Sequence, residues 1–268
     1  QSQPHEYPML ETSPTPVKLT PETESPQPTL FLQNTPGPAI PEQPAAGIEL
    51  NFFTSNALEQ AAELGVHWIR RNSLKWSSIE PIEGMRAWDS ISALEDEIQT
   101  LIQYGIQTIL IVNSSPDWAL SNPGKDCSPV AYEQLSAFAS FMYDAVKRYS
   151  MPPYSVKYWE LGNEPDVDPD LVPLGSPYGC WGDKSDIFYG GGYYAEMLKR
   201  VYPQIKAADP QAQVLVGGLL LDCDPVNPPE GKDCSPSLFM EGILRSGGGN
   251  FFDGISFHAY DYYSGSLQ

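Results

Sequence analysis

Positive charge is scarce in this chain. Of its 268 residues, 15 are Lys or Arg against 34 Asp or Glu, and the formal net charge is −19. Phosphate binding needs a basic face, so nucleic acid is a poor partner, and an anionic membrane surface is disfavoured for the same reason. Long apolar runs are missing too: the longest, Val214 to Leu221, falls well short of the roughly 20 residues of a membrane-spanning helix. Histidine is limited to His5, His67 and His258, too few for the ligand cluster of a metal hydrolase. Neither a G-x-G-x-x-G nor a G-x-x-x-x-G-K-[ST] phosphate loop occurs, the G-x-S-x-G elbow of serine esterases is absent, and no cysteines form a C-x-x-C pair. No cofactor is expected.

Proline is abundant but unevenly placed. Eleven of the 27 prolines fall in residues 1–46, among Thr, Ser, Gln and Glu and with Lys18 as the sole Lys or Arg. Such a stretch cannot bury enough apolar surface to offset its ordering entropy, and it reads as a disordered, partly polyproline linker. A Pro-rich ligand for an SH3-type module is the sharper alternative. From Gly47 onward apolar runs alternate with helical patterns. The runs are Ile48–Phe52, Val66–Arg70, Gln107–Val112, Val156–Leu161, Gln213–Leu219 and Gly254–Tyr260. Helices are predicted over Thr54–Leu64, Asp89–Tyr104, Val130–Tyr149, Tyr193–Ala208 and Pro236–Arg245, the first two stopped by Gly65 and Gly105. A β-α-β-α order calls for a parallel sheet with covering helices.

Between the parallel architectures, an open doubly wound sheet usually carries a Gly-rich phosphate loop, whereas a (β/α)8 TIM barrel places its chemistry at the C-terminal strand ends. Arg70, Asn113, Asn163-Glu164 and His258 with Tyr260 all sit at such ends. An α/β barrel over residues 47–268 is therefore expected, incomplete at about six of eight strands. The Asn113-Ser114-Ser115 sequon fits N-glycosylation formally, but a strand end argues for a wall of the site instead.

The fourth strand runs into Gly162-Asn163-Glu164-Pro165. A carboxyl at a strand end beside aromatic side chains is partly desolvated, which favours the proton-carrying form that a general acid needs. On spacing alone, a capping Asn and a solvated Glu in an ordinary loop explain the same residues equally well. Trp159-Glu160-Leu161-Gly162-Asn163-Glu164-Pro165 resembles the Asn-Glu-Pro motif that ends the fourth strand in clan A glycoside hydrolases, TIM-barrel enzymes of the cellulase, β-xylosidase and β-galactosidase kind. Trp68-Ile69-Arg70 followed by Trp76-Ser77-Ser78-Ile79-Glu80-Pro81 resembles their second strand and loop. Ser115-Pro116-Asp117-Trp118 resembles the aromatic loop after the third strand, and Phe257-His258-Ala259-Tyr260 the sixth strand. Where many relatives carry Trp before the Asn, this chain has Gly162.

The resemblance implies a retaining hydrolase of β-linked glycosides with a carbohydrate substrate. Glu164 would be the acid/base, and Asn163 would hydrogen-bond the sugar 2-hydroxyl. Arg70 and Tyr260 would hold the nucleophile's carboxylate, and His258 with Trp118 would line the sugar subsite. Retention needs a second carboxyl about 5–5.5 Å from the first. In the clan it comes from the seventh strand, so a nucleophilic Glu is expected beyond residue 268. Glu160 reads as a satisfied carboxylate in the barrel interior. Trp76 and Trp181 fit a subsite or the core equally well, and Tyr178, Tyr189, Tyr193 and Tyr194 flank a Gly-rich loop that would overhang the cleft, although packing alone would explain them. A non-catalytic carbohydrate-binding or cell-surface protein on the same scaffold is the alternative.

The four cysteines, Cys127, Cys180, Cys223 and Cys234, fall in loops after strands three, four and five. With the linker and the acidic surface they suggest an extracellular, disulfide-bonded protein. Cys127 and Cys180 lie on adjacent loops and Cys223 and Cys234 share one, which predicts those two pairings. Oligomeric state is not legible.

Overall fold

A computed structural model describes residues 46–49, 54–176, 180–220 and 236–258. All lie in the second of two units into which the chain divides, Gln43–Gln268. Nearly all of the expected linker, together with Tyr178, Tyr260 and the expected Cys223–Cys234 pairing, lies outside the described residues.

The described chain alternates as the periodicity predicts. The strands are β1 (Ala46–Glu49), β2 (Val66–Lys75), β3 (Gln107–Asn113), β4 (Tyr158–Asn163), β5 (Gln213–Leu220) and β6 (Gly254–His258). The helices are α1 (Ser55–Glu63), the single turn α2 (Trp76–Ile79), α3 (Ser92–Gln103), α4 (Leu135–Tyr149), α5 (Gly191–Ala208) and α6 (Pro236–Arg245). All strand pairs are parallel and follow chain order from β1 to β6. The result is a curled, open parallel sheet, an incomplete (β/α)8 barrel whose edges among the described residues are β1 and β6.

Local chemistry accounts for the helices. Thr54 caps α1 by accepting from the Ala57 amide, and α1 and α3 stop at Gly65 and Gly105, both at positive φ as an αL cap requires. In α3 the buried Leu94, Ile98 and Leu101 recur at helical spacing, and α4 buries Leu135, Phe138, Met142, Ala145 and Tyr149 the same way. Leu101 packs with Leu58, Ile69 and Ile106, and the rest of these faces meet the outward side chains of the sheet, such as Trp159 and Leu161, in one apolar layer. That layer holds the sheet while its concave face stays polar toward the strand ends.

Some boundaries differ from the reading. The helix expected from Val130 begins at Leu135, because Val130 instead bridges Leu120 in an antiparallel pair. Strand β2 continues five residues past Arg70, through a register shift between Asn72 and Leu74. On β6, Ser256 makes a polar contact with Glu160 of β4 and His258 one with Glu164 just after it, while the alternate residues Ile255 and Phe257 are 52% and 51% exposed. No helix among the described residues is long and apolar enough to cross a membrane.

Candidate active site

The turn after β4 carries two residues at positive φ. Gly162 has φ +88°, and Glu164 has φ +53°, a left-handed conformation that costs a non-glycine residue roughly 1–2 kcal/mol. Pro165 disfavours the right-handed helical conformation for the residue before it. Two backbone bonds hold Glu164 in place: its amide donates to the Gly218 carbonyl at 2.9 Å, and its carbonyl accepts from the Val167 amide at 3.1 Å. The strain is thus carried by the pairing of β4 with β5, and it turns a carboxyl inward at the end of a central strand.

Glu164 is 4% exposed and Asn163 8%. Oε1 of Glu164 lies 2.8 Å from Nδ1 of His258, a hydrogen bond whose proton either group can carry. Gly218 makes this contact sterically possible, since a Cβ there would stand 2.3 Å from Nε2 of His258. Beneath the turn Tyr194, fully buried in α5, donates to the Leu161 carbonyl at 2.6 Å. Burial raises its phenol, which stays protonated. Tyr194 therefore supports the strand from below and does not overhang the cleft.

Arg70 reaches across from β2. Its Nε and Nη2 donate to Oε2 and Oε1 of Glu160 at 3.1 and 2.6 Å, and Nη2 also donates to Oδ1 of Asn163 at 2.8 Å. Nη1 donates to Glu49 at 2.9 Å. Burial opposes the guanidinium charge, but the hydrogen bonds and charge of Glu160, then those of Glu49, outweigh it and hold Arg70 above its ordinary value. Glu160 is the satisfied interior carboxylate that its place in the strand suggests: it is 0% exposed and accepts further from the Gly218 amide and the Ser256 hydroxyl.

A cleft opens beside this cluster, lined by Asn113, Ser114, Ser115, Gly162 and Trp181. It touches β4 at Leu161 and Gly162 and does not include Glu164 or His258, which lie toward β5 and β6. Asn113 is a wall residue, 8% exposed at the end of β3. Trp181 is held by its amide bond to the Pro165 carbonyl at 2.7 Å and packs on Tyr193 and Tyr194. Trp76 is wholly buried and belongs to the core. Trp118 is partly buried, edge-on to Trp76 at 5.2 Å, with its indole N–H donated to the Glu80 carbonyl at 3.0 Å.

A disulfide joins Cys127 to Cys180, with Cα atoms 5.1 Å apart, tying the β3–α4 loop to the β4–α5 loop as their placement predicted. Among the described residues no three His, Cys, Asp or Glu side chains are arranged to hold a metal ion. Sequence reasoning missed Glu49, Gly218 and Ser256, which carry no motif of their own.

No protein-family model matches the chain, and no curated protein sequence does. Solved structures do. A family 39 glycoside hydrolase from Bacteroides cellulosilyticus aligns with TM-score 0.54 at 21% identity, over 80% of this chain and 37% of that one. The catalytic domain of a family 30 xylanase from Talaromyces cellulolyticus aligns with TM-score 0.59 at 14% identity, over 81% and 52%. A family 30 subfamily 8 xylanase from Clostridium acetobutylicum gives TM-score 0.59 at 13% identity, over 81% and 49%. The fold is that of the clan A glycoside hydrolases, and the chain spans about half or less of these neighbours' length.

Proposed function

We propose that the chain carries the acid/base half of a retaining β-glycosidase. The observation that carries this reading is the buried Glu164 carboxyl at the end of β4, bonded to His258 at 2.8 Å with Asn163 alongside. Glu164 protonates the leaving glycosidic oxygen and afterwards takes a proton from the attacking water, while a second carboxylate attacks the anomeric carbon. Glu160 cannot serve as that nucleophile, because both its oxygens are engaged in the interior. The reading therefore requires a Glu from a further strand, which the resemblance puts on a seventh. The six strands alone are expected not to turn over substrate. The buried Cys127–Cys180 disulfide supports an extracellular setting.

One observation favours a carbohydrate-binding protein without catalysis. The Arg70 charge is already met by Glu160 and Glu49, leaving less to hold a nucleophile ionised. The two readings part on hydrolysis by the complete protein, tried on aryl β-glycosides and on xylan, since two neighbours are xylanases. Glu164→Gln should slow poor leaving groups sharply and activated aryl glycosides less, with azide restoring part of the rate. Full activity of that variant on polysaccharide, or no hydrolysis by the complete wild type, would end the proposal.

A further inference from the structure

Glu160 does more than fill the interior. Its carboxylate accepts four hydrogen bonds from three other strands: Arg70 Nε and Nη2 on β2, the Gly218 amide on β5 and the Ser256 hydroxyl on β6. The two bonds from Arg70 form a fork, which sets the plane of the guanidinium as a single contact would not. The same Nη2 then donates to Oδ1 of Asn163 at 2.8 Å. An amide whose oxygen is held in this way has its NH2 group on the opposite side.

We propose that Glu160 is a positioning residue that, through Arg70, fixes the Asn163 side chain with its NH2 turned to the site, so that the subsite beside Glu164 donates to a sugar hydroxyl oxygen. The proposal rests on the glycosidase reading for what the amide recognises, but not for how the amide is held. Through Gly218 and Ser256 the same carboxylate ties β5 and β6, whose Gly218 and His258 complete the contact with Glu164.

The test uses nitrogen-15 NMR of the 268-residue chain, reading the Arg70 Nε–H and the Asn163 side-chain amide. Glu160→Gln keeps the shape and removes the charge. Exchange of the Arg70 Nε–H with water is expected to quicken about tenfold or more, as loss of a charge-assisted bond implies, and the Asn163 amide signals are expected to move. Tyr149→Phe, which removes a bond to Glu95 far from the site, is the control for general loss of stability and should move neither. Should Glu160→Gln not fold, Arg70→Lys keeps the charge without the fork and is expected to release the Asn163 amide equally. Unchanged Asn163 signals in these variants, or equal changes in Tyr149→Phe, would overturn the proposal. Failure of the glycosidase reading looks different: titrated aryl β-glycoside would leave the wild-type amide signals in place while the response to Glu160→Gln persists.

Discussion

Removing the Cys127–Cys180 disulfide should cost this protein about as much as any single change can. The bond closes a loop of 53 residues that contains α4, β4 and the Glu164 turn. In the chain-entropy account a loop of that size restrains the unfolded state by about 4 kcal/mol. The nearby Lys125–Asp170 ion pair, 2.7 Å long with a largely exposed carboxylate, adds little that could compensate. Replacing both cysteines by Ala should therefore lower the urea midpoint by about 2 M at a slope of about 2 kcal/mol/M. The thermal midpoint should fall by roughly 8–16 °C for a unit of this size. The damage should also be local. Trp181 follows Cys180 directly, and its amide bonds the Pro165 carbonyl next to Glu164, so amide exchange at Trp181 and Gly182 should quicken more than in α3. A loss below about 1 kcal/mol would refute the loop-entropy reasoning. Peptide mapping of unreduced protein that finds Cys127 and Cys180 unlinked would refute the premise.

Two further outcomes follow from single contacts. In Gly218→Ala the new methyl would meet the His258 ring at 2.3 Å. The ring must swing away from Glu164 at a cost of about 1 kcal/mol, and imidazole ring chemical shifts by NMR that match the wild type would disprove the steric argument. Burial works against the ionised Glu95 carboxyl, but the hydrogen bonds from Arg148 and then Tyr149 outweigh it and hold it below its ordinary value. A depressed carboxylate contributes stability that is full above its unfolded pKa, near 4.3, and lost as pH falls through the folded value. The stability gap between wild type and Arg148→Gln/Tyr149→Phe should thus be steady above about pH 5 and shrink below about pH 4. A gap that stays constant into acid would show that Glu95 is not its source.

The parts of this molecule that could be read from the chain are those whose cause is local. The stops at Gly65 and Gly105 are single residues taking a positive φ, and the apolar spacing of α3 and α4 needs no partner to be seen. Boundaries slipped where a neighbour in space decides them, as when Val130 pairs with Leu120 in preference to starting a helix. Asn163 and Glu164 were legible because they are adjacent and followed by Pro165, so one short segment holds the motif. His258 is 94 residues from Glu164, and only the resemblance could put them together.

The groups around Glu164 were harder to find for a physical reason. Trp76, Trp118 and Trp181 are the same residue type in loops after neighbouring strands, and Trp76 and Trp181 share one core cluster, yet of those two only Trp181 also lines the cleft. No property of a tryptophan records which side of a sheet it meets. Glu160 could be read as satisfied, but not by what, since its partners come from β2, β5 and β6. Gly218 looks like an ordinary strand glycine until β6 lies beside β5, and then its missing side chain becomes the space that the His258 ring occupies. A site built on a parallel sheet draws its residues from several strands, so its supporting contacts exist only once the strands are side by side. A candidate such as Glu164 can sit in a motif, while the residues that contact it are scattered through the chain by the fold itself.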